Sequence, residues 1–334
     1  MDRVHSILHR FGLSEQVRSL IPLQNAGGFS GASLWQVQTR ERGAFALRQW
    51  PAEHPSRERL EFIHQVQTHL LESVGSIIPR LVKSMDGKTF VEERGRFWEL
   101  SAWVAGEPSF HFAPNDAKLI SAMETLAKIH NAAAELRCLC KQDVSPGLLL
   151  RRNLADRWTR DAILKLASSI DESYPELTQV CRRILDHAFH LTDACRDILA
   201  QVGDGSLQLI PCLKDIWHDH VLFTNDAVSG IVDFGAMQVD TPTGDIARLI
   251  GSLVEDNQCH WQLALEKYAW MRPLSLDELQ FVHAFDIANV TYSGINWIQW
   301  IYVDRRQFSE MSAIARRLET IVKRQNYLRK KLGC

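Results

Sequence analysis

The densest run of chemistry in the chain is Lys214-Asp215-Ile216-Trp217-His218-Asp219-His220, set between the apolar run Leu207–Leu213 and the short apolar strand Val221–Phe223. Five ionisable side chains between two segments destined for the interior are costly unless they pair or work. The fold must therefore end a buried strand, expose a polar loop and return. A second such device follows at Ile231-Val232-Asp233-Phe234-Gly235, where an aspartate closes a β-branched run before a glycine. Asp215 and Asp233 are 18 residues apart. The hairpin between them, turning at Asn225-Asp226, would carry both to one mouth. Read alone, the first run is either a His-x-His metal site or a catalytic loop with a carboxylate base. The second fits an aspartate presented to a metal ion.

Apolar periodicity organises the rest. Ser33–Gln38 and Ala44–Trp50 alternate as two strands joined by the polar turn Arg40–Gly43, a hairpin closed by Pro51. Pro55-Ser56 opens a helix with Leu60, Ile63, Val66 and Leu70 at helical spacing. Strands at Thr89–Glu92 and Phe97–Val104 follow. From Asn115 the period becomes helical. Helices are predicted from Asn115 to about Leu139, over Leu148–Ser169 and over Leu177–Val202. More follow at Asp245–Val254, Trp261–Trp270, Leu276–Ile301 and Phe308–Leu332, with a strand-rich island over 207–237. The expected class is α+β. A small antiparallel-sheet lobe, residues 1–103, precedes a large helical lobe, residues 104–334, with the linker at about 101–107.

Composition excludes several functions. The 38 basic and 40 acidic residues give a net charge of −2, so no basic surface for nucleic acid or anionic membrane is expected. Apolar runs are broken by charges well before the length that a membrane span needs, and Met1–Leu13 lacks the apolar core of a secretory signal. The seven cysteines contain no Cys-x-x-Cys pair, which fits reduced thiols in a cytoplasmic protein.

Two features ahead of the helical region fit a phosphate site. Gly27-Gly28-Phe29-Ser30-Gly31 is a turn whose backbone N–H groups could approach phosphate oxygens. It leads into a strand and lacks the lysine of a P-loop. Arg48, on the next strand, is a cation able to reach α- and β-phosphates. The order of glycine turn, strand cation, helix, Asp215 loop and Asp233 turn resembles the protein-kinase-like phosphotransferases. More narrowly, it resembles the aminoglycoside phosphotransferase/choline kinase family, from about Gly27 to Leu253. Leu126-Ala127-Lys128-Ile129-His130, Trp98–Gly106 and Asp245-Ile246-Ala247-Arg248-Leu249 are similar to that family's helix, interlobe linker and post-metal segment.

The resemblance implies a bilobal kinase-like fold and ATP- or GTP-dependent transfer to the hydroxyl of a small molecule. It implies Asp215 as catalytic base and Asp233 as ligand to Mg2+ or Mn2+. Gly27, Gly28, Phe29, Ser30 and Gly31 would cover the phosphates, and Ser101, Ala102 and Trp103 would offer backbone groups to the base. This sequence departs from the pattern at four places. Leu213 and His220 stand at the ends of the catalytic-loop motif, where the family has histidine and asparagine. His220, as imidazole, suits a softer ion than Mg2+. Arg48 replaces a lysine. That lysine's helix glutamate falls on Ile63, so Arg48 is expected to lack its partner and to be free for phosphate.

These departures keep a second reading open, a kinase-like binding or scaffold module. A third is a metal-dependent hydrolase built on His218, His220, Asp215 and Asp233. On the acceptor side, Asp256, Tyr292, Asn296 and Trp297 are candidates, although aromatics at that spacing more often pack a core.

Overall fold

The computed structural model describes residues 2–23, 31–203, 207–306, 308 and 311–334. The chain opens with α1 (Asp2–Arg10), β1 (Val17–Pro22), β2 (Ser33–Thr39), β3 (Ala44–Gln49) and α2 (Arg57–Val74). It continues with β4 (Phe90–Glu93), β5 (Arg96–Ala102) and α3 (Asp116–Glu135). Then come β6 (Lys141–Asp143), α4 (Pro146–Arg157), α5 (Arg160–Ala167), α6 (Pro175–Gln201) and β7 (Leu207–Cys212). Last are β8 (Val221–Thr224), β9 (Ala227–Ile231), β10 (Gln238–Asp240), α7 (Thr243–Val254), α8 (Gln258–Met271), α9 (Leu276–Ile298) and α10 (Met311–Leu332). By internal contacts the chain divides into two units. One is Met1–Leu136 with His218–Met237; the other is Arg137–Trp217 with Gln238–Cys334.

The first unit is built on an antiparallel sheet of order β1-β2-β3-β5-β4. Alternation gives that sheet two apolar faces. Val37, Phe45, Leu47, Val91, Trp98 and Leu100 pack with Ile7 and Leu8 of α1 and with Phe11 just after it. Trp50, Phe90 and Phe97 pack with Leu60 of α2. Ser56 caps α2 by accepting the Arg59 N–H. The expected hairpin is β8–β9, and Val228 N–H donates to Ser121 Oγ of α3.

The second unit is mostly helical. Its small sheet runs β10-β7-β6, so Leu207–Cys212 pairs with these strands and not with the hairpin that follows it. The single helix expected over Leu148–Ser169 is two, because Thr159 caps a new start by accepting the Ala162 N–H. The helix expected to reach Ile301 changes at Ile298 into a π-helical turn, Gln299–Val303. Among the described residues, no helix is long and apolar enough to cross a membrane. None of the seven cysteines forms a disulfide.

Candidate functional site

In the first unit the site grows from the register of β3 on β5, which sets Arg48 directly opposite Glu99. Residues 48, 50, 97 and 99 share one face of the sheet, the face that α2 covers. Glu99 Oε2 accepts both the Trp50 indole N–H and His64 Nε2, each at 2.9 Å, and His64 Nδ1 lies 2.7 Å from Thr89 Oγ1. Arg48 Nε is 3.8 Å from Glu99 Oε1, and its guanidinium lies over the Trp50 ring, 4.8 Å from the centroid. Arg48 Nη1 donates to Asp233 Oδ1 at 3.1 Å. The expectation of a free Arg48 is therefore corrected. Ile63 is buried apolar core, and the partner carboxylate comes from strand β5 instead of helix α2.

Asp233 sits at the end of the β8–β9 hairpin with a left-handed backbone, φ +63°. A non-glycine residue there is strained and is found where surrounding contacts hold it. Two contacts do so: Oδ1 accepts the Gly235 N–H at 3.4 Å, and Val232 N–H bonds the His220 carbonyl at 3.0 Å. The second bond sets His220 beside Asp233, with Nε2 3.8 Å from Oδ2. Gly235 must be glycine, since a Cβ there would lie 2.8 Å from the Trp50 ring.

Electrostatics follow the packing. Burial pushes the Asp233 carboxyl up, but the charges of Arg48 and His220 and the bonds from Arg48 and Gly235 outweigh it, leaving it below the usual range. Burial likewise raises Glu99. The His64 bond, the His64 and Arg48 charges and the Trp50 bond more than reverse that. Desolvation would lower Arg48, yet Asp233 and Glu99 hold it above its ordinary value.

As to metal, Asp233 offers a hard carboxylate oxygen and His220 a borderline nitrogen, a mixed pair that would suit Mn2+ better than Mg2+. The ligand atoms of His218, His220 and Asp233 do not form a group lying within 4.8 Å of one another. His218 instead meets Asp219 at 3.5 Å, and its ring stands edge-on to His111. Among the described residues, the hydrolase reading thus keeps His220 beside Asp233 but gains no compact cluster with His218.

Gly27, Gly28, Phe29 and Ser30 lie outside the described residues. Gly31 is left-handed, φ +75°. Ser101 and Ala102 close β5, and Trp103 follows, partly exposed. The N–H groups of Ala102 and Trp103 are engaged by the carbonyls of Arg80 and Ala44. Of the backbone groups expected to meet the base, these two N–H groups are thus already bonded within the protein.

In the second unit, Asp215 leaves the end of β7. Asp245, in the first turn of α7 and buried, accepts the N–H groups of Leu213 and Lys214 at 2.7 Å each. Lys214 is left-handed, φ +67°, and its ammonium pairs with buried Asp240, which also accepts Ser145 Oγ at 2.7 Å. One turn along α7 from Asp245, Arg248 forms an ion pair with Asp215. Sequence reasoning gave no roles to Asp240, Asp245 and Arg248. The i, i+3 spacing of Asp245 and Arg248, which puts them on one helix face, was the available signal.

The acceptor candidates have different surroundings. Tyr292 and Trp297 are buried, with the Tyr292 hydroxyl 3.2 Å from Thr192 Oγ1, while Asn296 is exposed. Asp256 is held by Arg324 at 3.1 Å. The aromatics fill core and the aspartate is structural.

The sheet with its packed helix, the hairpin ending in an aspartate and the helical remainder define a kinase-like α+β phosphotransferase fold. The family described as "Phosphotransferase enzyme family" matches residues 23–274, most of the chain, and this protein belongs to it. Among solved structures, a spectinomycin phosphotransferase in complex with ADP and spectinomycin is similar at TM-score 0.63 and 13% identity, over 95% of this chain and 96% of the other. A microcompartment-associated aminopropanol kinase gives TM-score 0.63 and 13% identity, over 99% and 97%. A macrolide 2'-phosphotransferase from Brachybacterium faecium gives 0.53 and 14%, over 94% and 96%. At such identities the likeness shows the fold. No curated protein matches the chain by sequence.

Proposed function

We propose that the protein transfers the γ-phosphoryl group of ATP or GTP to a hydroxyl of a small molecule in the cytoplasm. Residues 1–103 would act as the nucleotide lobe and 104–334 as the acceptor lobe. The observation that carries this reading is the strained Asp233, with Arg48 on one carboxylate oxygen and His220 facing the other. Such a carboxylate can hold a divalent cation. When bound, the ion supplies positive charge to the phosphates. Arg48 adds a guanidinium for phosphate oxygens. Asp215, held in its loop by Asp245, orients the acceptor hydroxyl and takes its proton. The family and the ligands of its structural relatives support the nucleotide.

The test is a thermal-shift titration with ATP and GTP, each with Mg2+ or Mn2+. At a hundredfold excess over Kd, a ligand of the folded state stabilises by about 2.7 kcal/mol. The expected result is a metal-dependent rise in Tm that Asp233→Asn abolishes. No rise with any pair would refute the reading.

One observation favours a second reading, a binding module without turnover. Arg248 already engages the Asp215 carboxylate, which must be freed to accept a proton. ADP release with a hydroxyl acceptor, lost in Asp215→Asn, decides for the enzyme. Tight nucleotide binding without such release decides for the module.

A further inference from the structure

We propose that Glu99 is the positioning residue for Arg48, and that the change from lysine to arginine and the move of the acidic partner from helix to strand are one device. The proposal rests on the reading of Arg48 as a phosphate contact.

The argument begins with register. Cross-strand neighbours have Cβ atoms about 4.5–5.5 Å apart, so pairing β3 with β5 places the two side chains together before any other contact forms. Glu99 is then fixed independently of Arg48. Its Oε2 takes two donors, from Trp50 and His64, at 2.9 Å each. With hydrogen on Nε2, His64 donates to Glu99 Oε2, and its Nδ1 hydrogen-bonds Thr89 Oγ1. His64 is buried in α2, edge-on to Phe90. The two donors occupy Oε2 and leave Oε1 turned to Arg48.

Arg48 divides its fork. Nε faces Glu99 and Nη1 bonds Asp233, while the guanidinium plane lies over Trp50. A lysine could not do this. Its single ammonium carries no second donor set back along the side chain, and a point charge has no plane to stack. Only an arginine can be held from behind by a strand carboxylate while it presents nitrogen forward. A glutamate at the position of Ile63 is then unnecessary, and that position is free to pack the core. When Asp233 turns its charge to a cation, Glu99 still neutralises Arg48 and keeps it aimed. α2 takes part through His64, so the helix remains coupled to the cation through one extra link.

The test uses the full chain with 15N-labelled arginine. The Arg48 Nε–H signal is assigned by its loss in Arg48→Lys and then followed in Glu99→Gln, which keeps side-chain volume and an acceptor for Trp50. The expected result is a shifted Nε–H signal with faster solvent exchange. Calorimetry on the same variant should show ATP affinity weakened about threefold or more, as expected when the ion pair that aims Arg48 is lost, at a temperature where both proteins are folded. His64→Gln should move the signal the same way by less. An Arg48 signal unchanged in Glu99→Gln overturns the proposal. So does a shifted signal with unchanged affinity, which would make Glu99 a structural partner only. If the wild type binds no nucleotide with any metal while the Arg48 signal still responds, the phosphotransferase reading fails and the positioning role fails with it, leaving Glu99 a structural ion-pair partner. If the wild type and Glu99→Gln bind equally well, the positioning role fails and the phosphotransferase reading stands.

Discussion

Replacing Asp245 should release the loop that carries Asp215. The carboxylate is buried and accepts two backbone N–H groups at 2.7 Å, one from Leu213 and one from Lys214. A hydrogen bond to a charged group contributes about 1.5–3 kcal/mol. Asp245→Ala removes both and strands the two donors, so about 3–6 kcal/mol is expected to be lost, against a total stability of about 5–15 kcal/mol. Asp245→Asn keeps one carbonyl oxygen for one N–H but turns an NH2 toward the other, so about half that loss is expected. The bonds also hold Lys214 in its left-handed conformation, a strain of about 1–3 kcal/mol that relaxes once they are gone. The loop should therefore open locally before the chain unfolds. Amide hydrogen exchange reads this directly. The Leu213 and Lys214 protons should be protected in the wild type, one of them should exchange early in Asp245→Asn, and both in Asp245→Ala. Urea unfolding gives the magnitude. Unchanged exchange at both amides in Asp245→Ala, with a midpoint shift below about 0.5 kcal/mol, would refute the reasoning.

The remaining tests concern charge and thiols. Glu99 lies below the ordinary carboxyl value of 4.5. Its ionisation therefore adds stability that is fully present above that value and is lost as pH falls through the lower folded value. Between pH 5 and 3, Glu99→Gln should lose less stability than the wild type, and parallel curves would contradict this. Burial raises the Cys181 thiol to about 12 and the Cys195 thiol to about 11, and Cys212 is also raised. Iodoacetamide at pH 8 should thus modify exposed Cys138, Cys259 and Cys334 and spare these three until urea is added, as mass spectrometry would show. Arg324 bonds both Asp256 and Asp286, whose carboxyls burial raises. Arg324→Met should cost about 3–5 kcal/mol by leaving buried charge unpaired. Asp256→Asn should lower Tm without changing the KM for the acceptor, and a raised acceptor KM would mark Asp256 as an acceptor-site residue.

What was legible in the sequence was whatever follows from period and from adjacent residues. The hairpin of β2 and β3, the helix after Ser56 and the hairpin before Asp233 all rest on local patterning, and each formed where the pattern put it. α1 was not read from the sequence: Val4, Ile7 and Leu8 stand at helical spacing, but so short a run, broken by Asp2, Arg3, His5 and His9, carries little period of its own. The short strands β6 and β10 were not legible. Three residues carry no period, and they are strands only because β7 lies between them. The break at Trp158 needed the capping bond of Thr159, a polar event inside a continuous apolar rhythm. At the site, Asp215, Asp233 and Arg48 stood out by type and place. Glu99 did not, because its meaning depends on which residue of β3 faces it. Register is a property of the assembled sheet, not of either strand.

The two aspartates proposed to work share a physical condition. Each has an arginine on its carboxylate, Arg48 on Asp233 and Arg248 on Asp215, and each arginine comes from a regular element next to a fixing group. A carboxylate poised for a cation or a proton is, without either, a negative charge in a partly desolvated place, which costs free energy. A guanidinium offsets that cost, and its planar fork also sets the orientation of the oxygens. The cost returns when the site is used, since a cation or an acceptor hydroxyl must take over what the arginine supplied. For Asp233 the exchange is eased because Glu99 retains the displaced charge. For Asp215 it falls to Arg248, only about a third exposed, which must find another anion or remain partly engaged. An acceptor with an anionic group beside its hydroxyl would provide that anion. Arg248→Ala should therefore weaken turnover of anionic acceptors more than of neutral ones, measured as kcat/KM for ADP release. Equal losses for both classes would show that Arg248 only orients the aspartate.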